Sequence, residues 1–364
     1  MTALFSPLTI GDLTLENRVV VSPMCQYSAV DGAAGDWHLA HLGTLANSGA
    51  GLVVVEATAV EPEGRISAGD LGLYDDATQQ ALARVVSFCK RNGNARMGLQ
   101  IAHAGRKASS QRPWEGGGPL PAGEGAWPTC GPSALTFADG WHIPSEMQAA
   151  DLERVLEAHV STARRAVALG FDLLEVHAAH GYLLHQFLSP LSNRREDDYG
   201  GSPEARMRYP LRVIAAVRDA LPNGFPLGVR ITGADWIEGG LTPDDAVAFA
   251  LGLRKLGVDF VCVTGGGIAP NVAPRLGPAY QAGFAETVRR GAGILTRAVG
   301  LIATPEQAQA VVAEGKADFV ALGRAFLDNP HWGWQAAQAL GAEVRRPPQY
   351  QRAAPAAWPG IGYR

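Results

Sequence analysis

The chain has 364 residues, 47% of them apolar and 18% charged, ordinary composition for a folded protein with ample material for a core. A formal net charge of −4 gives no electrostatic footprint for nucleic acid or an anionic membrane. The four cysteines, Cys25, Cys89, Cys130 and Cys262, form no CxxC pair, which argues against a disulfide framework and against a zinc site. The first residues lack the pattern of a signal peptide and no apolar run is long enough to span a bilayer, so a cytoplasmic setting is expected.

In chain order, short β-rich apolar runs occur at residues 18–21, 52–55, 97–101, 173–176, 227–231, 260–263, 293–296 and 319–322. Eight such runs, each followed by a loop and a helical pattern, are what a closed (β/α)8 TIM barrel requires, and residues 1–364 are predicted to form one such domain. Helical periodicity fills 81–88, 152–168, 206–220 and 242–256. Thr242-Pro243 and Thr304-Pro305 each read as an N-cap followed by proline at the first helical position. His38 and His41 are assigned to the first helix, in packing or capping work.

Two stretches break the rhythm. Residues 107–147 are rich in Gly, Pro and Trp and form a capping insertion after the third strand, either a lid or a solvent-facing elaboration. Residues 345–364 carry several prolines with Trp358 and Tyr363, which suits a docked tail better than a disordered one.

Functional groups of such barrels collect on the loops that follow the strands. Here those positions supply Ser22-Pro23-Met24-Cys25-Gln26-Tyr27, Glu56-Ala57-Thr58, Gln100 with His103-Ala104-Gly105-Arg106, His177 through Tyr182, Arg230, Gly265-Gly266-Gly267, Gly300 and Gly323-Arg324. Gly300 and Gly323-Arg324 follow the seventh and eighth strands, the usual phosphate position. Glycine lets backbone N–H groups approach phosphate there and arginine can pair with it bidentately. Singly they would read as turn glycines and a surface arginine. Arg230 and Gln100 lie within strands, where a cation or an amide needs a partner. They suit the pyrimidine edge of a flavin, with Arg230 opposing the charge of the reduced ring; each could equally satisfy an internal hydrogen bond. Cys25, without an adjacent histidine or second cysteine, reads as a tuner near a cofactor rather than as a nucleophile.

His177, His180 and Tyr182 place three proton-handling groups at the end of the fourth strand. The spacing allows a metal site with His103, His185 or Glu175 as third ligand. It equally allows two N–H donors on a substrate carbonyl oxygen with Tyr182 as acid, and buried structural histidines are a third possibility. The residues alone leave these readings open.

Over whole motifs, the chain resembles the Old Yellow Enzyme family of FMN-dependent ene-reductases, in particular its thermophilic-like bacterial subclass. The likeness is carried by the run from Glu175 to Pro190, continued by Asn193-Arg194-Arg195 and Asp198-Tyr199-Gly200-Gly201-Ser202. Ser22-Pro23-Met24-Cys25-Gln26-Tyr27, the run from Gln100 to Ala108, Gly228-Val229-Arg230-Ile231 and Gly323-Arg324 extend it in family order.

The resemblance implies tightly but non-covalently bound FMN, held by Ser22, Pro23, Met24, Cys25, Ala57, Gln100, Arg230, Gly300, Gly323 and Arg324, with NADPH preferred over NADH as reductant. It implies His177 and His180 on the substrate oxygen, Tyr182 as proton donor, Tyr27 as a further substrate contact, and no metal. The implied reaction reduces the C=C bond of α,β-unsaturated carbonyl, imide or nitro compounds, with hydride from flavin N5 to Cβ. The subclass lends a C-terminal arginine across a subunit interface; Arg352 fits that role and implies a homodimer or homotetramer. The alternatives are a metal-dependent barrel hydrolase or lyase and another FMN barrel oxidoreductase.

Overall fold

A computed structural model describes residues 2–272 and 274–363. Met1, Ala273 and Arg364, the last residue of the expected tail, lie outside the described residues. Eight parallel strands close into a barrel: β1 (Val19–Val21), β2 (Leu52–Ala59), β3 (Arg96–Ala102), β4 (Leu173–Ala178), β5 (Leu227–Thr232), β6 (Phe260–Thr264), β7 (Leu295–Ala298) and β8 (Phe319–Leu322). Closure is made by β8 on β1, with Val320 opposite Val19 and Leu322 opposite Val21.

The long helices follow in alternation: α1 (Asp36–Leu45), α2 (Asp76–Asn92), α3 (Ala149–Ala168), α4 (Pro203–Ala220), α5 (Pro243–Lys255), α6 (Ala282–Ala292), α7 (Pro305–Ala313) and α8 (Trp332–Ala339). Thr242 and Thr304 cap α5 and α7, each side chain accepting from the backbone N–H three residues on. Among the described residues no helix is long and apolar enough to cross a membrane.

Alternation along the strands sorts the side chains into two sets. Val19, Val21, Val53, Val55, Leu174 and Val176 pack outward with the helices. Val20, Leu52, Val54, Leu173, Phe260, Cys262 and Phe319 fill the barrel interior together with Leu8, Ile10 and Leu15. Those last three come from an antiparallel hairpin of Leu8–Ile10 and Leu13–Leu15.

Two details differ from the sequence reading. The seventh run was expected at 293–296, but the strand is Leu295–Ala298. Gly293, at φ +61, is the left-handed residue that ends α6, so the extended chain can start only after it. In β2 the register slips between Val55 and Ala57. This bulge at Glu56 turns Ala57, rather than Glu56, toward Gln100.

The insertion carries short 3₁₀ turns and a two-stranded pairing of Cys130–Gly131 with Ser145–Glu146. The tail docks through Tyr350, whose ring lies 5.9 Å from that of His331 and 5.7 Å from that of Trp334. Arg345 pairs with Glu16 at 3.0 Å, before the first barrel strand.

Candidate active site at the mouth of the barrel

The inward positions of β3, β4 and β5 bring Gln100, Glu175, His177 and Arg230 to the interior near the C-terminal ends of the strands. Gln100 pairs with Glu175, and His177 with Arg230. Beyond β4 the chain turns through His180 at φ +58 and Gly181 at φ +73. A Cβ on Gly181 would lie 2.1 Å from the Gly267 carbonyl oxygen, so only glycine permits this turn. His185 holds it, its Nδ1 accepting from Gly181 N–H at 2.8 Å and its Nε2 lying 3.0 Å from Asp235.

Three rings then meet edge to face: His177 stands 5.2 Å from His180 and 4.9 Å from Tyr182, centre to centre. Burial and the neighbouring Arg230 cation hold both imidazoles well below the usual histidine range, so each is neutral with one N–H. On His177 the Nδ1 accepts from Ala179 N–H at 3.2 Å, which places its proton on Nε2. On His180 the Nε2 lies 3.0 Å from Thr264 Oγ1, whose own proton is directed to Gln281 Oε1 at 3.2 Å, so the orientation of this hydroxyl sets the tautomer. Burial raises the Tyr182 phenol well above its ordinary value, with Cys25, Tyr27 and Asp70 adding to the shift, and keeps it protonated.

Next to these rings a cavity of about 460 Å³ is lined by Ser22, Pro23, Met24, His180, Arg230, Gly300, Gly323 and Arg324. Arg230 Nε is buried with no hydrogen-bond partner among the described residues, a donor free for a bound group. Gly300 sits at φ +102, and a Cβ there would lie 2.8 Å from Gln281 Oε1. A bare backbone and an exposed arginine at the ends of β7 and β8 suit a phosphate. A planar ring beyond it would meet Arg230.

Residues 3–343 match the profile of the NADH:flavin oxidoreductase / NADH oxidase family. The chain belongs to the Old Yellow Enzyme family. It is similar to an NADPH dehydrogenase of Geobacillus thermodenitrificans, 46% identical over 353 residues that cover 96% of this chain and 98% of the relative. An NADPH dehydrogenase of Listeria innocua is 43% identical over 355 residues, 97% of this chain and 99% of the relative.

Among solved structures, morphinone reductase superposes with a TM-score of 0.78 at 29% identity, covering 96% of this chain and 92% of that one. A 2-naphthoyl-CoA reductase complex superposes with a TM-score of 0.82 at 25% identity; the match covers 93% of this chain and spans about half, 52%, of that longer one. The protein is therefore a flavin-dependent oxidoreductase, and its barrel is that of the Old Yellow Enzyme fold.

Of the expected flavin contacts, Ser22, Pro23, Met24, Arg230, Gly300, Gly323 and Arg324 share the main cavity. Ala57 lines a smaller adjoining cavity with Tyr182. Gln100 is buried and its Nε2 donates to Glu175 at 2.7 Å, which leaves its carbonyl oxygen for another partner. Tyr27 packs edge-on against Trp114 of the insertion, ring centres 5.8 Å apart, so the 107–147 segment reaches the mouth. Arg352 is exposed on the tail and shares no described contact with these groups in its own chain.

The candidate third metal ligands are engaged elsewhere. His103 contacts Glu61 at 2.8 Å, His185 faces Asp235, and Glu175 is ion-paired with Arg297. Cys25 Sγ and one oxygen each of Glu56 and Asp70 lie within 4.8 Å of one another, but burial raises all three groups and favours their protonated forms over a ligand set. His38 does cap α1, its Nδ1 accepting from Gly35 N–H at 3.1 Å, and it also faces Glu56 at 3.5 Å.

Several functional neighbours were not legible in the sequence. Lys107 donates to the carbonyls of His180 at 2.8 Å and Gly267 at 3.0 Å and stands 5.1 Å from the Tyr182 ring. Burial brings its pKa down to about 8. Thr264, Asp70 and Arg297 likewise carry no local signal, because each matters only through a partner distant in sequence.

Proposed function

We propose that the protein is an ene-reductase of the thermophilic-like subclass, which binds FMN tightly without a covalent bond and takes its electrons from NADPH in preference to NADH. The observation that supports this most directly is the neutral His177–His180 pair in edge contact with Tyr182, beside a cavity with an unpartnered Arg230 donor. The substrate is an α,β-unsaturated carbonyl, imide or nitro compound in the cytoplasm, a compartment compatible with four free cysteines.

FMN, when bound, supplies the hydride that adds to Cβ. Ser22 to Cys25, Ala57, Gln100, Gly300, Gly323 and Arg324 hold it, and Arg230 stabilises negative charge on its pyrimidine edge. His177 Nε2–H and His180 Nδ1–H donate to the substrate oxygen, which develops negative charge as Cβ is reduced. That role for His180 requires the Thr264 hydroxyl to turn its proton from Gln281 Oε1, 3.2 Å away, to His180 Nε2 at 3.0 Å. Tyr182 gives its proton to Cα, Lys107 steadies the phenolate left behind, and Tyr27 closes the pocket over the substrate. The tail of a partner copy brings Arg352 to the mouth, because in its own chain the tail starts beside Glu16 at the opposite end of the barrel. This makes the working form a homodimer or homotetramer.

The deciding experiment is an anaerobic visible spectrum of the purified protein. A flavin spectrum that NADPH bleaches and 2-cyclohexenone restores is expected. A colourless protein that fails to take up FMN, or a yellow one that NADPH leaves unbleached, overturns the reading.

A further inference from the structure

A clamp of two imidazoles works only if both present an N–H to the substrate oxygen. The backbone arranges this for His177, because Ala179 N–H occupies its Nδ1 at 3.2 Å and leaves the proton on Nε2. His180 has no such anchor. Among the described residues its ring hydrogen-bonds to Thr264 Oγ1, 3.0 Å from Nε2. Whether its other nitrogen can donate therefore depends on that hydroxyl.

The hydroxyl is one link of a series. Thr264 Oγ1 donates to Gln281 Oε1 at 3.2 Å, and Gln281 Nε2 donates to Tyr280 Oη at 2.8 Å. Thr264 and Gln281 are 2% and 4% exposed, so bulk water does not compete for these groups. Gln281 is fixed at the start of α6, and the Tyr280 ring stacks on Trp236 with centres 6.2 Å apart. With the series in this direction, Thr264 accepts from His180 Nε2–H. His180 Nδ1 then carries a lone pair, which cannot bind a substrate oxygen, and His177 is left as a single donor.

A half-turn of the Gln281 amide exchanges its oxygen and nitrogen and leaves the neighbouring heavy atoms in place. Every link then reverses. Tyr280 O–H donates to Oε1, Gln281 Nε2–H donates to Thr264 Oγ1, and Thr264 O–H donates to His180 Nε2. The imidazole proton stands on Nδ1. Both directions keep each link of the series bonded, so the reversal sacrifices no buried hydrogen bond. Gly300 leaves room for the turn: a Cβ there would stand 2.8 Å from Oε1 and 3.0 Å from Cδ of Gln281.

We propose that Gln281 is a positioning residue of the substrate clamp, which turns its amide nitrogen to Thr264, has its oxygen held by Tyr280, and so fixes the His180 proton on Nδ1. The assignment rests on the reading of His177 and His180 as the groups that hold the substrate oxygen. Only the imidazole proton changes its atom. Before substrate binds, with His180 half-exposed, a solvent proton binds Nδ1 and the Nε2 proton returns to solvent. The two hydroxyls and the amide merely rotate, and no electrons move.

The tautomer can be read directly. Oxidised, FMN-loaded enzyme with isotope-labelled histidine ring nitrogens is mixed with 2-cyclohexenone, which it cannot reduce without NADPH. Long-range proton–nitrogen NMR then shows which His180 nitrogen bears the proton, the signal being assigned by its loss in His180→Gln. In wild type the proton should stand on Nδ1. In Gln281→Met, which keeps the side-chain length and removes the amide, it should spread to both nitrogens or return to Nε2. A wild-type complex with the proton on Nε2 overturns the proposal, and so does an unchanged Nδ1–H in Gln281→Met.

Rates supply a second readout. Gln281→Met should slow alkene reduction roughly 10-fold, less than the 10²–10³-fold typical of an oxyanion donor lost outright. Thr264→Ser keeps the hydroxyl and should stay near wild type. Because Gln281 acts through Thr264, adding Gln281→Met to Thr264→Val should bring no further slowing, whereas two independent structural defects would multiply. Multiplying effects overturn the series. If His177→Gln/His180→Gln binds 2-cyclohexenone as wild type does, the clamp reading itself falls. If that variant loses affinity while Gln281→Met keeps the wild-type tautomer and rate, only the role of Gln281 falls.

Discussion

Glu175 and Arg297 form an ion pair wholly inside the barrel, from β4 and β7, with both side chains at 0% exposure. Glu175 also accepts from Gln100 Nε2 at 2.7 Å, and the Arg297 guanidinium lies 5.3 Å from the Phe260 ring and 5.8 Å from that of Phe319. The pair therefore sits one layer below His177 and beneath the expected flavin edge. Among the described residues Arg297 Nε and Nη1 have no hydrogen-bond partner that meets ordinary geometry, and Glu175, with the Cys262 sulfur beside it, carries the burden of satisfying that cation.

Breaking the pair on one side should cost far more than removing it. Glu175→Gln leaves a buried cation uncompensated, at roughly 3–5 kcal/mol. The double variant Glu175→Gln/Arg297→Met should recover most of that loss. Denaturant unfolding of the two variants checks this; equal destabilisation of both would contradict it.

Tyr182→Phe removes the acid and leaves the flavin cavity intact. Alkene reduction should slow by roughly 10²–10⁴-fold, the usual worth of positioned proton transfer, while flavin reduction by NADPH stays near the wild-type rate. Stopped-flow measurement of the two half-reactions separates them. A parallel fall in both would mean that the tyrosine serves the fold or the flavin instead.

The paired histidines carry a pH signature. Burial and Arg230 hold both below the ordinary histidine value, so the unfolded chain binds more protons than the native one at mildly acid pH. Their contribution to stability is complete above about pH 6.5 and lost as pH falls below it. The double variant His177→Gln/His180→Gln should show a flatter melting temperature below that point than wild type. It should also lose the phenol charge-transfer band without losing FMN. Unchanged acid sensitivity together with unchanged phenol affinity would sink the clamp.

Gly300→Ala tests the phosphate position. The added Cβ falls 2.8 Å from Gln281 Oε1 at a backbone φ of +102, so the loop after β7 must shift. FMN affinity should drop by roughly tenfold or more, about 1.4 kcal/mol, with the apoprotein still folded. Fluorescence titration with FMN measures it, and wild-type affinity would place the phosphate elsewhere.

Eight strands, their alternation with helices and the run from His177 to Tyr182 were all legible in the sequence, because periodicity and motif spacing are properties of adjacent residues. Most of the strand-end groups expected to face a flavin do line one cavity at the barrel mouth. What the sequence left open was which inward residues meet. A two-residue shift of β7 puts Arg297 inside the barrel, the bulge at Glu56 turns Ala57 to the mouth, and the loop after β2 brings Asp70 to the cavity beside Tyr182. Those pairings follow from the stagger of strands around a closed barrel, which relates residues more than a hundred positions apart and leaves no trace in local pattern. Local sequence determined the parts of the site, and closure of the barrel decided which of them touch.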